Sequence, residues 1–401
     1  MCTRARLVAG THQASRLAAS RSPTGERFVF SLREVNGALG DLGTLLPLML
    51  GTITVVGLAP LPVVAGFGVC YVASALHYRL PIPVQPMKAV AAVLLTAQLG
   101  PAELALGGML IGAILLLLGV TGWISRLARL VPQSVLAGLQ LGLGLALALL
   151  GLELMAGTPW LGALTLGLLL ALLLVPRAPS ALIALLVAVV LARALDIPGI
   201  ASAGLLPPAW PLAQWPSGAQ LERAVSQFVL PQLALTFTNA IVLTALVAGD
   251  YFGARAAHVT PARLAISSGL ANLVLAPRGA LPMCHGAGGL AAHHRFGARS
   301  GTAPLLLGLV LLALALLPGG LGLVLLANIP LAALGALLLI TAGELALSRR
   351  LLDCKPSCWP VIALSAGVTL GADPFWGLVA GTMAELARVA IVRVLRARDA
   401  A

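Results

Sequence analysis

Charged residues are scarce in this sequence: they make up only 9% of its 401 residues, whereas a soluble domain contains about a quarter. Aromatic residues are also few, at 4%, while apolar residues reach 59% and the mean hydropathy is +1.01. Stretches such as 104–121, 136–152 and 305–317 contain no charge. Because a membrane crossing takes about 20 apolar residues, the sequence predicts a polytopic membrane protein and excludes a soluble globular one.

Acidic residues are scarcer than basic ones, 13 against 25, so the formal net charge is +12. This excess does not indicate a nucleic-acid partner, because the basic residues lie in short loops and near the two ends of the chain. Such a distribution is typical of the cytoplasmic loops of membrane proteins, which are rich in Lys and Arg. If the N-terminus is cytoplasmic, the only basic residues in extracytoplasmic loops are Arg193, Arg223 and Arg278. Lys88 is the one basic residue that lies within a predicted span. We expect a multi-pass protein of the inner (plasma) membrane, embedded in the lipid bilayer, with both termini cytoplasmic.

Residues 1–30 lack the continuous apolar core of a signal peptide and are predicted to form a cytosolic tail. The five cysteines do not form an even-numbered set of disulfide partners in an exported loop, so no disulfide is expected. The chain ends soon after its last apolar segment, so we expect no C-terminal soluble domain. We also expect no cofactor.

Glycine, proline and charge divide the chain into fourteen candidate spans. These are 33–57, 61–79, 84–98, 105–121, 131–150, 159–175, 178–194, 228–248, 262–276, 285–293, 303–317, 326–347, 358–371 and 374–395. The third and the tenth are too short or too broken to cross the membrane alone. The predicted divisions are a first repeat over 31–195, an extracytoplasmic connecting loop over 196–227 and a second repeat over 228–398.

The two halves match at a nearly constant offset. Gln85 and Cys284 are 199 residues apart, as are Trp160 and Trp359, and Pro132 precedes Pro330 by 198. Two halves of seven spans each must insert in opposite orientations, and inverted repeats with one discontinuous helix per half are typical of secondary transporters. The sequence therefore predicts an all-α fold of about 14 membrane segments in a 7+7 inverted repeat.

The third and tenth spans are predicted to contain half-helices. The prolines of PIPVQP (81–86) favour extended backbone, and PMCHGAGG (282–289) begins with another proline. A short helix can begin at Pro86 in one half and near His285 in the other, close to the bilayer midplane. Helix N-termini carry unpaired N–H groups and about half a positive charge, so two that face each other predict a site for a small oxyanion.

Several polar side chains are candidates for this site. Lys88 would add a cation, and Gly286, Gly288 and Gly289 would let an oxyanion approach the backbone. Gln85 could donate to the anion, or cap broken backbone.

Other candidates have a structural alternative of equal or greater weight. Asp41 could couple or gate transport, or pair with Lys88. Cys284 could contact the anion or simply pack, whereas we expect His285 next to it to lie at the anion site, where it could titrate. On the eighth span, Gln232, Thr236 and Asn239 share one helix stripe, and they could line the cavity or join helices.

Three sequence blocks resemble the signatures of the molybdate transporter family, which is related to the sulfate permeases. They are GALGDLGTLLPLML (37–50), PIPVQPMKAVAA (81–92) and PMCHGAGGLAAHHRFGARSG (282–301). The resemblance extends from about residue 30 onward. It implies the fold of sulfate and nucleobase permeases, divided into core and gate domains, and molybdate as substrate.

These observations lead to three functional hypotheses. The first is a secondary-active importer of molybdate, with the proton as a candidate coupling ion and a homodimer as a candidate assembly. The second is a permease for sulfate or another tetrahedral oxyanion, because backbone dipoles respond to charge and size rather than to the central atom. The third is a membrane metalloenzyme built on Cys284, His285, His293 and His294, although their spacing fits no common zinc pattern. We expect His293, His294, Arg295 and Arg299 to face the cytosol.

Overall fold

The computed structural model describes residues 28–96, 100–127, 132–175, 178, 180–197, 217–317, 322, 325, 328–372 and 374–399. The first half contains α1 (Leu32–Gly40), α2 (Leu42–Val55), α3 (Pro60–Tyr78), β1 (Gln85–Pro86), α4 (Lys88–Thr96), α5 (Pro101–Thr121), α6 (Ile124–Leu127), α7 (Gln133–Ala156), α8 (Pro159–Leu173) and α9 (Ser180–Ala194). The second half contains α10 (Gly218–Arg223), a π-helical segment (Ala224–Val229), α11 (Leu230–Leu235), a second π-helical segment (Thr236–Leu243), α12 (Thr244–Phe252), a 3₁₀ turn (Gly253–Ala256), α13 (Pro261–Leu275), a 3₁₀ turn (Ala276–Arg278), β2 (Met283–Cys284), α14 (Ala287–Arg295), α15 (Thr302–Leu316), α16 (Leu331–Ala346), α17 (Arg349–Leu352), a 3₁₀ turn (Pro356–Cys358), α18 (Trp359–Gly371) and α19 (Pro374–Asp399).

The helices pack as an inverted repeat, which confirms the predicted 7+7 fold. In each half the second membrane span packs on the fourth span of the other half, so α3 lies against α15 and α13 against α5. The equivalent helices α7 and α16 pack on each other at the centre. Pro132 and Pro330 precede these two helices with nearly the same backbone angles, φ −66° and ψ 138° against φ −68° and ψ 141°.

The two predicted half-helices are present as α4 and α14, nine residues each. They begin two residues later than expected, at Lys88 and Ala287. The reason is that β1 and β2 pair antiparallel, with Gln85 opposite Cys284, and the Met87 amide donates to the Pro282 carbonyl at 2.9 Å. The repeat-related positions of the sequence therefore meet at one buried crossing point.

Equivalent helices hold the two short strands in place. From α3, the Ser74 hydroxyl donates to the Ile82 carbonyl at 2.9 Å. From α13, the Asn272 amide donates to the Met283 carbonyl at 2.7 Å, and its oxygen accepts from the Met283 amide at 2.9 Å. Irregular backbone inside a membrane protein requires such partners, because lipid supplies none.

The eighth span is longer than expected. Residues 218–227, which we expected in the connecting loop, are helical, whereas 198–216 lie outside the described residues. Two π-helical segments interrupt this span and change the direction of its later side chains. Such segments often occur at functional sites.

The outer surface is suited to lipid. Side chains such as Leu117, Leu149 and Met383 are more than half exposed, although they are apolar. Four tryptophans near helix ends are also about half exposed: Trp123, Trp160, Trp359 and Trp376. Exposed apolar faces bounded by tryptophans are typical of a multi-pass membrane protein.

Candidate functional site

The N-terminus of α14 presents open backbone amides. Gly286 precedes the helix and has no side chain to cap it, and no described residue accepts a hydrogen bond from the amides of Ala287, Gly288 or Gly289. Gly288 is exposed, and a Cβ added there would meet no atom within 4 Å. The first turn of α14 therefore borders open space, as an anion site at a helix N-terminus requires.

The N-terminus of α4 differs, because a side chain already caps it. The Gln232 oxygen accepts from the Ala89 amide at 3.0 Å and from the Val90 amide at 3.3 Å. The Gln232 amide in turn donates to the Thr236 hydroxyl at 2.8 Å. The two half-helices are thus not equivalent as anion sites, although the sequence predicted that both would contribute.

Lys88 is the first residue of α4 and is partly buried. Its ammonium forms no ion pair or hydrogen bond with any described residue, so the alternative in which it pairs with Asp41 is not observed. Its charge acts on Cys284 and on Glu344 of α16. An uncompensated ammonium near the middle of a membrane protein favours a bound anion.

Asp41 lies where α1 ends and α2 begins, and its side chain is fully buried. Its two oxygens accept hydrogen bonds from the Tyr71 hydroxyl and the Gln85 amide. Gln85, a candidate for anion binding, therefore directs its amide to Asp41. A Cβ on Gly289 would come within 2.7 Å of the Asp41 carboxylate, which places this carboxylate beside the first turn of α14.

The structure corrects the expectation that His293 faces the cytosol. Its side chain is 0% exposed, and its Nδ1 donates to the Gly37 carbonyl at 2.7 Å. Its Nε2 lies 3.8 Å from the Asp41 carboxylate. Gly289 and His293 are four residues apart and share a helix face, which is the signal that could have identified His293 from the sequence.

His285 has a protein partner at each ring nitrogen. Nδ1 donates to the Pro83 carbonyl at 2.8 Å, so in the neutral ring Nε2 accepts from the Ser267 hydroxyl, at 2.7 Å. Tyr78 contacts the same hydroxyl at 2.7 Å. These hydrogen bonds fix the turn between β2 and α14, with Pro83 and Tyr78 contributed by the first repeat and Ser267 by the second. His285 is only 5% exposed.

The remaining candidates lie near this crossing point. Cys284 is buried as a free thiol, and a Cβ on Gly286 would overlap the Gln85 side chain, so Gly286 allows the strands to approach. Thr236 is fully buried against Gln232. The structure describes the backbone of Asn239, but its side chain lies outside the described part.

Two glutamates of the second half differ in their partners. Glu385 forms a salt bridge with Arg388, at 2.5 Å. Glu344 does not: within the described residues it has no ion pair, and it is exposed on α16, where the charges of Lys88 and Asp41 act on it. Glu344 is therefore close enough to Lys88 and Asp41 for their charges to act on it, which the sequence did not reveal.

Comparison with known proteins supports the same family. The family described as "Molybdate transporter of MFS superfamily" matches residues 33–147 and 224–345. Molybdate transporter 1 of Arabidopsis thaliana is 31% identical over 89% of this chain and 88% of its own length. Molybdate transporter 2 of the same plant is 30% identical over 88% and 86%.

The chain belongs to the molybdate transporter family. This membership places it among transporters rather than enzymes, which argues against a metalloenzyme. Among the described residues, no three His, Cys, Asp or Glu side chains are grouped so that they could hold a metal ion.

Solved structures show a similar fold. The transmembrane domain of the cyanobacterial bicarbonate transporter BicA has a TM-score of 0.66 and 18% identity, covering 88% of this chain and 98% of that one. The murine anion transporter Slc26a9 has a TM-score of 0.65 and 13% identity, covering 94% and 70%. The family description names the MFS superfamily, but MFS halves are six-span units in parallel repeat. The inverted seven-span halves found here agree with BicA and Slc26a9 instead.

Proposed function

We propose that this protein is a secondary-active transporter that imports molybdate. The anion would bind at the first turn of α14, with the amides of Ala287, Gly288 and Gly289 on one side and the Lys88 ammonium on the other. The observation that carries this proposal is the combination of open amides at the first turn of α14 with a lysine that has no partner among the described residues and whose charge acts on Cys284, three residues before that helix. Family membership supports molybdate as the anion.

The first half-helix has a different role in this proposal from the one the sequence predicted. Because Gln232 occupies the Ala89 and Val90 amides, α4 contributes its lysine and the positive end of its dipole rather than free donors. Gln85 positions Asp41, and His285 supports the strand–helix turn. Selectivity would then depend on the size of the space around Gly288.

Transport would follow from movement of one group of helices past the other. Helices α7, α8, α16 and α18 pack together, and α19 packs on α18, whereas α3 packs on α15 and α5 packs on α13. We propose that the first group is the gate and the second the core, with the anion between them. We also propose a plasma-membrane location with both termini cytoplasmic, which reporter fusions at each terminus would test.

The function is tested by uptake of radiolabelled molybdate into proteoliposomes. Tungstate, a dianion of nearly the same size, should compete at concentrations similar to molybdate, and sulfate should compete weakly. Sulfate competing as strongly as tungstate would favour the alternative, a general tetrahedral oxyanion permease. The absence of uptake of any oxyanion, under inward and outward pH gradients alike, would refute the proposal.

A further inference from the structure

Within the described part of the chain, one buried ring nitrogen near the candidate site has no hydrogen-bond partner. This atom is the His293 Nε2, which is inaccessible to solvent and lies 3.8 Å from the Asp41 carboxylate. Both side chains are fully buried. A buried polar atom without a partner costs about 1–3 kcal/mol, so its presence requires an explanation.

The other contacts of the pair determine where a proton can be held. The His293 Nδ1 atom donates to the Gly37 carbonyl, so a neutral ring directs the lone pair of Nε2 towards the carboxylate. Asp41 already accepts from Tyr71 and Gln85, one donor on each oxygen. A proton at Nε2 would replace the repulsion between lone pair and carboxylate with an ion pair.

The same pair lies beside the proposed anion. The Asp41 carboxylate borders Gly289, in the turn of α14 whose amides are open. An unneutralised carboxylate at this position repels an arriving oxyanion, and a protonated His293 cancels that charge. Each ligand therefore raises the affinity for the other, because coupling between two binding sites is reciprocal.

Other titratable groups near His293 do not replace it in this role. From α3, the Tyr71 ring meets the His293 ring edge-on, with centroids 6.4 Å apart. From α1, one Glu34 oxygen accepts from the Arg299 amide, while the other is buried with no partner among the described residues and makes no ion pair with His293. The π-helical segment Thr236–Leu243 carries no titratable side chain. The remaining groups on adjoining elements are exposed or partly exposed: Arg33, Lys88, Asp250, Tyr251, His294, Arg295 and Glu344. Among the described residues, only Asp41 forms an ion-pair contact with His293.

We propose that His293 takes up one proton at Nε2 when the anion binds, and that Asp41 holds this proton in place as an ion pair. The new N–H bond forms with a proton taken up from the surrounding water, and the proton returns to the water when the anion leaves. This inference rests on the proposed function, and it assigns the coupling proton to His293 and Asp41 rather than to His285, whose ring nitrogens are both engaged.

The test is calorimetric titration of the purified full-length protein with sodium molybdate, at one pH, in two buffers of different ionisation enthalpy. The difference between the apparent enthalpies gives the number of protons taken up per anion. The variants are His293→Gln, which retains an amide able to donate to Gly37, and His294→Gln. The latter is a matched control, since His294 is the neighbouring histidine and stacks on Tyr251 outside the site.

We expect about one proton per molybdate for the wild-type protein and for His294→Gln, and a value near zero for His293→Gln. Wild-type protein that binds molybdate without proton uptake would overturn the inference and leave the proposed function standing. Uptake of one proton by a His293→Gln variant that still binds molybdate would also overturn it. Should this variant fail to fold, the wild-type count still decides whether a proton binds, and Asp41→Asn then tests the pair. Failure of wild-type protein to bind molybdate would refute the proposed function itself.

Discussion

Replacement of Lys88 by methionine removes one charge from the cavity and keeps most of the volume of the side chain. At an effective dielectric constant of about 20, two unit charges about 8 Å apart interact by about 2 kcal/mol, and a dianion doubles this to about 4 kcal/mol. Lys88 is only partly buried, so solvent reduces the interaction to about 2 kcal/mol. Since each 1.4 kcal/mol is tenfold in affinity, we expect molybdate binding to weaken about 30-fold.

The assay is molybdate uptake into proteoliposomes, with the apparent KM and the equilibrium Kd measured on the same preparation. Lys355→Met is the matched control, because Lys355 is the other lysine of the chain and lies exposed on a loop. We expect this control to differ from wild-type protein by less than about twofold. A Lys88→Met variant that retains wild-type Kd, while equally stable in detergent, would show that the ammonium does not face the anion.

Three further predictions follow from the contacts of the half-helices. Gly289→Ala should lower uptake and the melting temperature in detergent, because its Cβ would lie 2.5 Å from the Gln85 amide and 2.7 Å from Asp41. Gly288→Ala meets no protein atom within 4 Å and should keep the wild-type melting temperature; equal melting temperatures of the two variants would contradict this packing. Gly288→Leu should block uptake without loss of thermal stability, since it fills the space proposed for the anion. Gln232→Leu should lower the melting temperature in detergent, because two buried amides lose their acceptor at a cost of about 1–3 kcal/mol each. Gln232→Glu keeps an acceptor oxygen and should preserve the melting temperature. An unchanged melting temperature for Gln232→Leu would contradict the cap.

Much of the fold could be predicted because proline and charge act locally. The prolines of 81–86 and Pro282 break a helix without any contribution from distant residues. The offset between Pro132 and Pro330, which is nearly that of the other matched pairs, indicates the repeat. The start of each half-helix was misplaced by two residues, because pairing of β1 with β2 joins segments about 200 residues apart. Only the folded chain brings these segments together.

The sequence proposes the candidate site in outline but not its hydrogen bonds. Lys88 and Gly288 are candidates by residue type and position, since a lysine and a glycine-rich turn are rare within apolar spans. The cap formed by Gln232 depends on how α11 packs against α4, which no local pattern reveals. The polar side chains around Asp41 were missed for the same reason, although Tyr71 is one of only three tyrosines in the chain.

The central claim is that the anion binds at the first turn of α14, opposite Lys88. Anomalous X-ray diffraction at the molybdenum absorption edge, from crystals grown with molybdate, locates the metal atom directly. We predict one peak about 4 Å from the Gly288 amide nitrogen and on the cavity side of Lys88. A single strong peak elsewhere in the membrane domain, with the α14 amides facing only protein or water, would contradict this account.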